Sequence, residues 1–297
     1  MAAAAVEDEA LKDRIGLGWR PELAAGILSN LDKIDVVEVI ADDFFAARRH
    51  KRRALRTLAA QTKVTLHGVS LGMASAVAVE PKRLERMARL CEEIAPLSWS
   101  EHLAFVRGGG VEIGHLAAPP RTAATIDGAL INLERARKIV GVAPQVENVA
   151  TLIDPPGSDR DEATWVAEIV RGSGADLLLD LHNLHANALN FHFNPFDFIA
   201  RIPAERVAAI HLAGGKWIGE NGARRLLDDH LHDVPDAVYD LLTEVGARAP
   251  RPLTVVLERD GAFPSIDCLL QQLERARQAL AQGRARLFAA GDEEAAA

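Results

Sequence analysis

The feature that most constrains the fold of this 297-residue chain is an alternation of short apolar runs with amphipathic helical patterns. Several of the runs are apolar almost throughout, which is typical of strands buried on both faces of a parallel sheet. Between them, apolar residues recur every three or four positions, which predicts helices over 81–94, 123–140 and 236–245. The predicted strands cover 14–20, 34–40, 63–69, 98–106, 142–147, 175–181, 206–212 and 252–257.

Eight strands that alternate with helices predict an α/β protein with a single (β/α)8 TIM barrel. A doubly wound open sheet is the alternative, but the first strand is not followed by a Gly-x-Gly-x-x-Gly turn and the chain has no P-loop motif. No Ser/Gly-rich linker divides the chain, so we expect one metal-dependent catalytic domain over residues 13–285. Residues 1–12 and 286–297 are small and acidic, and we expect them to be disordered tails.

The net charge and the composition of the chain limit the kinds of molecule that it could bind. Lys and Arg number 34 and Asp and Glu number 42, and this net charge of -8 argues against a nucleic-acid partner. No apolar run approaches the roughly 18 residues that span a bilayer, and the N-terminus lacks the basic start of a signal peptide. Two cysteines, Cys91 and Cys268, are too few for a disulfide framework or a thiolate metal site. We therefore expect a cytoplasmic protein that does not bind membranes.

Polar residues close most of the predicted strands. In a TIM barrel the active-site residues lie at the C-terminal ends of the strands, and here strands three to eight end in His, His, Glu, Asp, His and Glu. Each residue alone could be a helix cap or a loop residue. Together they would converge on one barrel mouth, where buried charges need compensation that bound cations supply. The expected metal ligands are His67, His102, Glu147, Asp180, Asn183, His211, Asp228, His230 and Glu258.

The donor set indicates which metals would fit. Imidazole and carboxylate without thiolate suit iron, manganese or zinc. Nine donors exceed the roughly four to six that one metal takes, so we expect two or three metals, with Glu147 as the first choice for a bridging carboxylate. Redox-active iron would activate O2, whereas redox-inert ions would activate water or polarise a carbonyl, and the residues alone leave both open. Other residues near the mouth that could contact a substrate are Arg20, Glu38, Asp42 and His182.

Short motifs around these strand ends occur in a fixed order from about Gly16 to Glu258, nearly the whole folded chain. They are His67-Gly68-Val69-Ser70-Leu71, Ser100-Glu101-His102-Leu103, Glu147-Asn148, Asp180-Leu-His-Asn183, Ile210-His211-Leu212-Ala213-Gly214, Asp228-x-His230 and Leu257-Glu258. Each motif is weak alone, but the ordered set is specific. It resembles the multinuclear non-heme iron-dependent oxidative enzymes, formerly called domain of unknown function 692.

The resemblance has implications for both fold and activity. It implies a TIM barrel of the xylose-isomerase type, related to sugar isomerases and endonuclease IV. It implies two or three irons bound by the matching residues above, with O2 as co-substrate. The implied substrate is a ribosomally synthesised precursor peptide, oxidised at cysteine or at another side chain, and a separate partner protein that binds the leader peptide is expected.

Three positions depart from the usual pattern of that family. Gly215 stands where a second histidine is common, His182 where asparagine is common, and Asp229 where threonine or serine is usual. These positions flank the expected ligands, so they bear on the particular reaction. Two other functions remain open on the same barrel: a redox-neutral isomerase or phosphodiesterase that uses a divalent metal, and a non-catalytic binding protein.

Overall fold

The structure is a computed structural model that describes residues 12–220 and 224–296, with side chains described up to residue 289. Twelve strands occur in the described chain. They are β1 (Arg14–Gly18), β2 (Val36–Ile40), β3 (Lys63–Gly68), β4 (Trp99–His102), β5 (Phe105–Gly108), β6 (Val111–Ala117), β7 (Gln145–Glu147), β8 (Leu177–Asp180), β9 (Val207–Leu212), β10 (Gly215–Ile218), β11 (Arg225–Asp228) and β12 (Thr254–Leu257).

Eight of these strands form a closed parallel barrel in the order β1, β12, β9, β8, β7, β4, β3, β2. The prediction of a TIM barrel is therefore confirmed, and the open doubly wound sheet is excluded. The helices are α1 (Ala24–Leu28), α2 (Asp42–Phe45), α3 (Arg49–Ala59), α4 (Pro81–Ile94), α5 (Ala123–Val140), α6 (Glu162–Ser173), α7 (Leu181–Phe191), α8 (Pro195–Arg201), α9 (Asp236–Gly246) and α10 (Ile266–Ala296), with short 3-10 turns at Pro21–Leu23 and Ala204–Arg206.

The predicted helices form for the expected reasons. Helix α4 begins at a proline and buries Leu84, Met87, Leu90 and Ile94, the face that its three-to-four spacing predicts. Helix α5 begins with a capping box between Thr122 and Thr125 and ends at a glycine with left-handed backbone. These apolar faces cover the outside of the barrel, and the strands beneath them are buried on both sides.

The first two strands approach each other too closely for any side chain between them. A Cβ atom at Gly16 would lie 1.8 Å from the carbonyl oxygen of Val36. Only glycine fits there, so Gly16 serves the packing of β1 against β2.

The strand registers align the polar strand ends on one rim. His67 pairs with Ile40, His102 with Glu147, and Asp180 with His211. Because parallel strands in a closed barrel all run in the same sense, their C-terminal residues face a common mouth.

Two antiparallel hairpins are added to the barrel and were not predicted. The predicted strand 98–106 divides into β4, which belongs to the barrel, and β5, which pairs with β6. Gly109 and Gly110 have positive φ angles and allow the tight reversal between β5 and β6. The second hairpin pairs β10 with β11 in register from Gly215–Asp228 to Ile218–Arg225.

The predicted tails have different outcomes. Residues 1–11 and 297 lie outside the described residues, so the tail expected at 1–12 is untested over almost all its length. At the other end the structure differs from the expectation for 286–297, since α10 continues to Ala296. The alanine-rich sequence there has high intrinsic helix propensity, which explains the continuation. Among the described residues, none of the helices is long and apolar enough to cross a bilayer.

Candidate metal centre

Buried imidazoles and carboxylates meet at the C-terminal rim of the barrel. β3, β4 and β9 contribute His67, His102 and His211, which are 3%, 7% and 0% exposed. Glu147 closes β7 and is 2% exposed. A group of this polarity is not expected inside a protein without partners or a bound ion.

Glu147 lies at the centre of this arrangement. Its Oε2 atom is 3.5 Å from His67 Nε2 and 3.4 Å from His102 Nε2. Its Oε1 atom is 3.3 Å from His211 Nδ1. One carboxylate therefore faces three imidazoles with both oxygens, so each oxygen could share a metal with a neighbouring imidazole.

The cluster extends from His211 towards two further carboxylates. His211 Nε2 is 2.8 Å from Glu38 Oε1, and its Nδ1 atom is 3.0 Å from Glu258 Oε2. Glu258 Oε2 also lies 3.5 Å from His230 Nδ1, and His230 Nε2 lies 3.0 Å from Asp228 Oδ2. The β10–β11 hairpin and the residues after it therefore deliver Asp228 and His230 to the same mouth.

Three sets of donor atoms are compact enough to hold a metal ion, each with its atoms within 4.8 Å of one another. Glu147, His67 and His211 each belong to two of the sets, so neighbouring ions would share ligands. Among the described residues the sets are Glu38 with His67 and His211, His67 with His102 and Glu147, and Glu147 with Asp180, His211 and Glu258.

Many of these buried polar atoms lack a hydrogen-bond partner, and this tests whether the residues fit a metal. Both ring nitrogens of His211 lack one, although carboxylate oxygens lie close by. Such atoms are costly to bury unless something else coordinates them. The other unpartnered atoms at the site are Glu38 Oε1, Glu147 Oε2, Asp180 Oδ2, His182 Nε2, Asn183 Oδ1 and His230 Nε2. The residues present therefore fit a bound cation.

Neighbouring groups fix the imidazoles in orientations suited to metal binding. His67 Nδ1 is 2.8 Å from the hydroxyl of Ser100, and His102 Nδ1 is 3.3 Å from the carbonyl oxygen of Gly68. With the proton on Nδ1, each ring leaves its Nε2 lone pair directed at Glu147. A histidine that binds a metal through one nitrogen usually donates the other N–H to such a partner.

The electrostatics of the cluster favour positive charge. Burial opposes the charged form of His102, but the carboxylates of Glu147 and Glu101 outweigh it and raise the pKa of His102 to about 9. Burial also opposes charge on His211, yet Glu258 and Glu38 raise its pKa well above the usual value. Without metal, the raised pKa values keep protons on His102 and His211, and a metal cation would replace that charge.

The carboxylates divide into two kinds. Burial disfavours the charged form of Glu258, but His211 and His230 hold its pKa well below the usual value. Burial and the nearby charge of Asp228 raise the pKa of Asp180 well above its usual value. His211 and His230 act on Asp180 in the opposite direction but do not outweigh these causes, and a metal next to Asp180 would add the missing positive charge.

His230 has an unusual backbone. Its φ angle is +54°, in the left-handed region that non-glycine residues seldom adopt. Its carbonyl oxygen accepts a hydrogen bond of 2.9 Å from the N–H of Asp260, and Asp260 Oδ2 lies 3.5 Å from His230 Nδ1. Strained backbone of this kind concentrates at functional sites, where the surrounding structure holds it in place.

Comparison with known proteins agrees with this geometry. The model of the family described as RiPP precursor modification enzyme MbnB/TglH/ChrH matches residues 14–281. The chain belongs to this family. The expected resemblance is thereby confirmed, and the matched region includes every barrel strand and every residue of the cluster.

Two relatives carry the description UPF0276 protein. One from Streptomyces avermitilis is 35% identical over 272 residues, which cover 89% of this chain and 54% of that protein. One from Caulobacter vibrioides is 31% identical over 273 residues, which cover 92% of this chain and 96% of that protein. The chain thus spans about half the length of the Streptomyces relative and nearly all of the Caulobacter one.

Solved structures with the same fold act on different substrates. D-psicose 3-epimerase from Clostridium cellulolyticum superposes with a TM-score of 0.58 at 11% identity, covering 92% of this chain and 99% of that one. Endonuclease IV from Thermus thermophilus superposes with a TM-score of 0.53 at 17% identity, covering 91% of this chain and 99% of that one. At these identities the likeness shows the fold alone, which is the xylose-isomerase-like TIM barrel that was expected.

The structure brings the nine predicted metal ligands of this family member to one mouth. Six of them belong to the three compact sets, His230 adjoins Glu258, and Asp228 adjoins His230. The ninth, Asn183, donates from Nδ2 to the carbonyl oxygen of Asn148, and its Oδ1 atom is unpartnered. Their roles as ligands remain predictions.

The four predicted substrate contacts are placed differently from one another. Arg20 forms an ion pair with Asp260, and Asp42 accepts a hydrogen bond from the N–H of Val69. His182 is fully buried. The fourth, Glu38, belongs to a compact set with His67 and His211.

Sequence reasoning missed that Glu38 joins the donor set and that Asp260 contacts His230. The signal for Glu38 was a lone acid between valines in β2, where its side chain must point into the barrel or into the helix layer. No comparable pattern singles out Asp260, because its contact depends on the loop conformation after β12.

A cavity of about 490 Å³ opens onto the cluster. Part of its wall is apolar and comes from the loop after β7 and from β11. Its polar lining includes His102, Glu147, Asn183, Asp228 and His230, and its apolar lining includes Leu116, Val149, Leu152, Ile153, Leu226 and Leu227. A substrate could therefore reach the candidate metal centre through a largely apolar passage.

Proposed function

We propose that this chain is an iron- and O2-dependent oxidoreductase that modifies a ribosomally synthesised precursor peptide at cysteine or at another side chain. The observation that carries the proposal is the buried cluster around Glu147, whose unpartnered donors fit more than one cation, in a member of a precursor-modification family. Membership supports a peptide substrate, and the imidazole–carboxylate donor set suits iron, as it suits manganese and zinc.

We assign the metals to the nine predicted ligands together with Glu38, with two or three irons per chain. Two compact sets share Glu147, and two share His211. When bound, iron supplies the redox chemistry with O2 that redox-inert ions cannot supply.

The chain's own residues orient the imidazoles, bind the peptide and exclude water from the site. Ser100 and the Gly68 carbonyl hold two imidazoles with their Nε2 atoms towards Glu147. The apolar wall of the cavity would bind the peptide segment next to the reacting side chain and exclude water around it. Because this wall is apolar, we expect an apolar residue beside the modified one.

Other expectations belong to the same proposal. We propose a catalytic domain over residues 13–285 and a cytoplasmic location. We also propose a separate partner protein that binds the leader peptide. An acidic chain of net charge -8 makes a nucleic-acid substrate unfavourable, which argues against an endonuclease activity on the same barrel.

The test is anaerobic reconstitution of the purified protein with iron(II) or with zinc(II), followed by O2 and a precursor peptide encoded beside the gene. We expect a mass change in the peptide and O2 consumption with iron only. Glu147→Gln should abolish both, and the matched variant Glu134→Gln, on the exposed surface of α5, should retain both.

Two results would overturn parts of the proposal. Equal conversion with zinc alone, or without O2, would reject oxidative chemistry and favour the redox-neutral isomerase or phosphodiesterase. Full activity of Glu147→Ala and His211→Ala would reject a catalytic metal centre and leave a binding protein.

A further inference from the structure

The β10–β11 hairpin carries a predicted metal ligand although it lies outside the barrel. Asp228 is the last residue of β11, and its position depends on how the hairpin packs against α7. Asn190 of α7 forms two hydrogen bonds with the backbone of Leu226. Its Oδ1 atom accepts from the Leu226 N–H at 2.7 Å, and its Nδ2 atom donates to the Leu226 carbonyl oxygen at 3.0 Å. These bonds align the strand, but they do not orient the Asp228 carboxylate.

The contact that orients the Asp228 carboxylate comes from His182, a buried histidine on the same helix. His182 Nδ1 lies 2.6 Å from Asp228 Oδ1, while Asp228 Oδ2 faces His230 Nε2 at 3.0 Å. The His182 side chain is 1% exposed, so a substrate in the open cavity could not reach it without rearrangement. The lining of that cavity includes Asp228, but His182 is not among its described wall residues.

The surroundings of His182 are shaped for its ring. A Cβ atom built on Gly215 would lie 2.7 Å from His182 Cε1 and 3.1 Å from its Nε2. The imidazole therefore occupies space that a side chain at position 215 would need. The close fit leaves the ring little room to turn, and it fixes Nδ1 towards Asp228.

We infer that His182 is a positioning residue that donates its Nδ1–H to Asp228 Oδ1 and so directs the other carboxylate oxygen at the metal centre. Its Nε2 atom has no hydrogen-bond partner, but it belongs to none of the three compact donor sets, so we assign His182 neither a ligand role nor a substrate contact. The inference rests on the proposed metal role of Asp228. A donor of this kind holds a ligating carboxylate in one rotamer, and its loss is expected to weaken metal binding about 10- to 100-fold.

Asparagine and alanine at position 182 separate the donor from the rest of the ring. An asparagine places an amide N–H at nearly the position of Nδ1, because both nitrogens are bonded to Cγ, and it has no atom in place of Nε2. Alanine removes both nitrogens. His182→Asn should therefore keep Asp228 oriented, and His182→Ala should not.

The experiment compares His182→Asn, His182→Ala and Asp228→Asn with the unmodified chain. Each metal-free protein is titrated anaerobically with cobalt(II), and the visible absorption and the metal bound per chain are measured. The matched control is His185→Ala, which removes a neighbouring imidazole of α7 whose ring centre lies 6.3 Å from that of His182. Thermal unfolding of each variant shows that it is folded.

We expect His182→Ala and Asp228→Asn to lose high-affinity binding of one cobalt and its absorption band, while His182→Asn and His185→Ala keep both. Loss in both His182 variants would show that Nε2 itself is required, which overturns the positioning role. If both His182 variants keep the cobalt, the positioning role is overturned too. An equal loss of cobalt in His185→Ala would also overturn it. If Asp228→Asn keeps all its cobalt, the proposed ligand role of Asp228 fails and the inference falls with it. If only Asp228→Asn loses cobalt, the inference alone fails.

Discussion

Metal removal should make the stability of this protein strongly dependent on pH above neutrality. In the metal-free chain the carboxylates of Glu147 and Glu101 overcome the burial of His102 and raise its pKa from 6.5 to about 9. Each unit of pKa difference between folded and unfolded chains corresponds to about 1.4 kcal/mol. The protonated His102 therefore contributes roughly 3 kcal/mol to folding.

The raised pKa of His102 determines that stability falls as the pH increases. A histidine whose pKa is raised on folding stabilises the folded chain fully below pH 6.5, and the contribution disappears as the pH rises towards 9. His211 and His230 also have raised pKa values, so they act in the same direction. The pKa values of Glu147 and Glu258 are lowered, and their effect falls below pH 4.5, outside this window.

The metal-loaded protein should behave in the opposite way. Protons compete with metal for the imidazoles, so metal affinity increases as the pH rises, and bound metal adds to the stability of the folded chain. The difference in unfolding temperature between metal-loaded and metal-free protein should therefore widen from about pH 6.5 to about pH 9.

The assay is thermal or urea unfolding at about pH 6.5, 7.5 and 9, with chelator or with saturating metal. We expect the metal-free protein to lose at least about 3 kcal/mol, which corresponds to roughly 5–10 °C for a chain of this size. His102→Gln should reduce that loss, and His50→Gln, on the exposed start of α3, should not. A metal-free protein whose stability is constant or rises across this pH range would refute the reasoning.

Two further predictions concern the sharing of ligands and the packing of the barrel. Glu147→Gln should reduce bound metal per chain, measured by elemental analysis, more than Glu38→Gln does, because Glu147 belongs to two donor sets and Glu38 to one; equal losses would contradict shared ligation. Gly16→Ala should lower the unfolding temperature sharply, since its methyl group would lie 1.8 Å from a carbonyl oxygen of β2, whereas Gly108→Ala, with open space around it, should have little effect. A similar unfolding temperature for the two variants would show that β1 and β2 can separate at no cost.

The barrel and most of the candidate site could be predicted because they depend on local patterns. Continuous apolar runs such as Val36–Ile40 identify strands covered on both faces, and closure of the barrel then fixes which ends meet. His67, His102 and His211 could be assigned to one mouth without knowing any distance, because each lies at or next to the end of such a strand.

What could not be predicted depends on tertiary packing. The β10–β11 hairpin is short and half-exposed, and only its contact with α7 decides that Asp228 faces His182. Arg20 was expected among the substrate contacts, and its ion pair with Asp260, in the loop after β12, could not be predicted from the sequence. Such contacts join residues far apart in sequence, and no periodicity marks them.

Charge balance gives an independent argument for the number of metals. The three donor sets together contain four carboxylates and three imidazoles, so the cluster is negative when all four carboxylates are ionised, even with every imidazole protonated. Two divalent cations would neutralise the four carboxylates with all three imidazoles in the neutral form that binds metal. Adding the carboxylate of Asp228, which His182 holds at the edge of the cluster, leaves one negative charge unmatched. A third divalent cation there would change the total from -1 to +1, so the charges are compatible with two or three metals. If Asp228 holds that third metal, its loss should remove one metal and leave the pair around Glu147 intact.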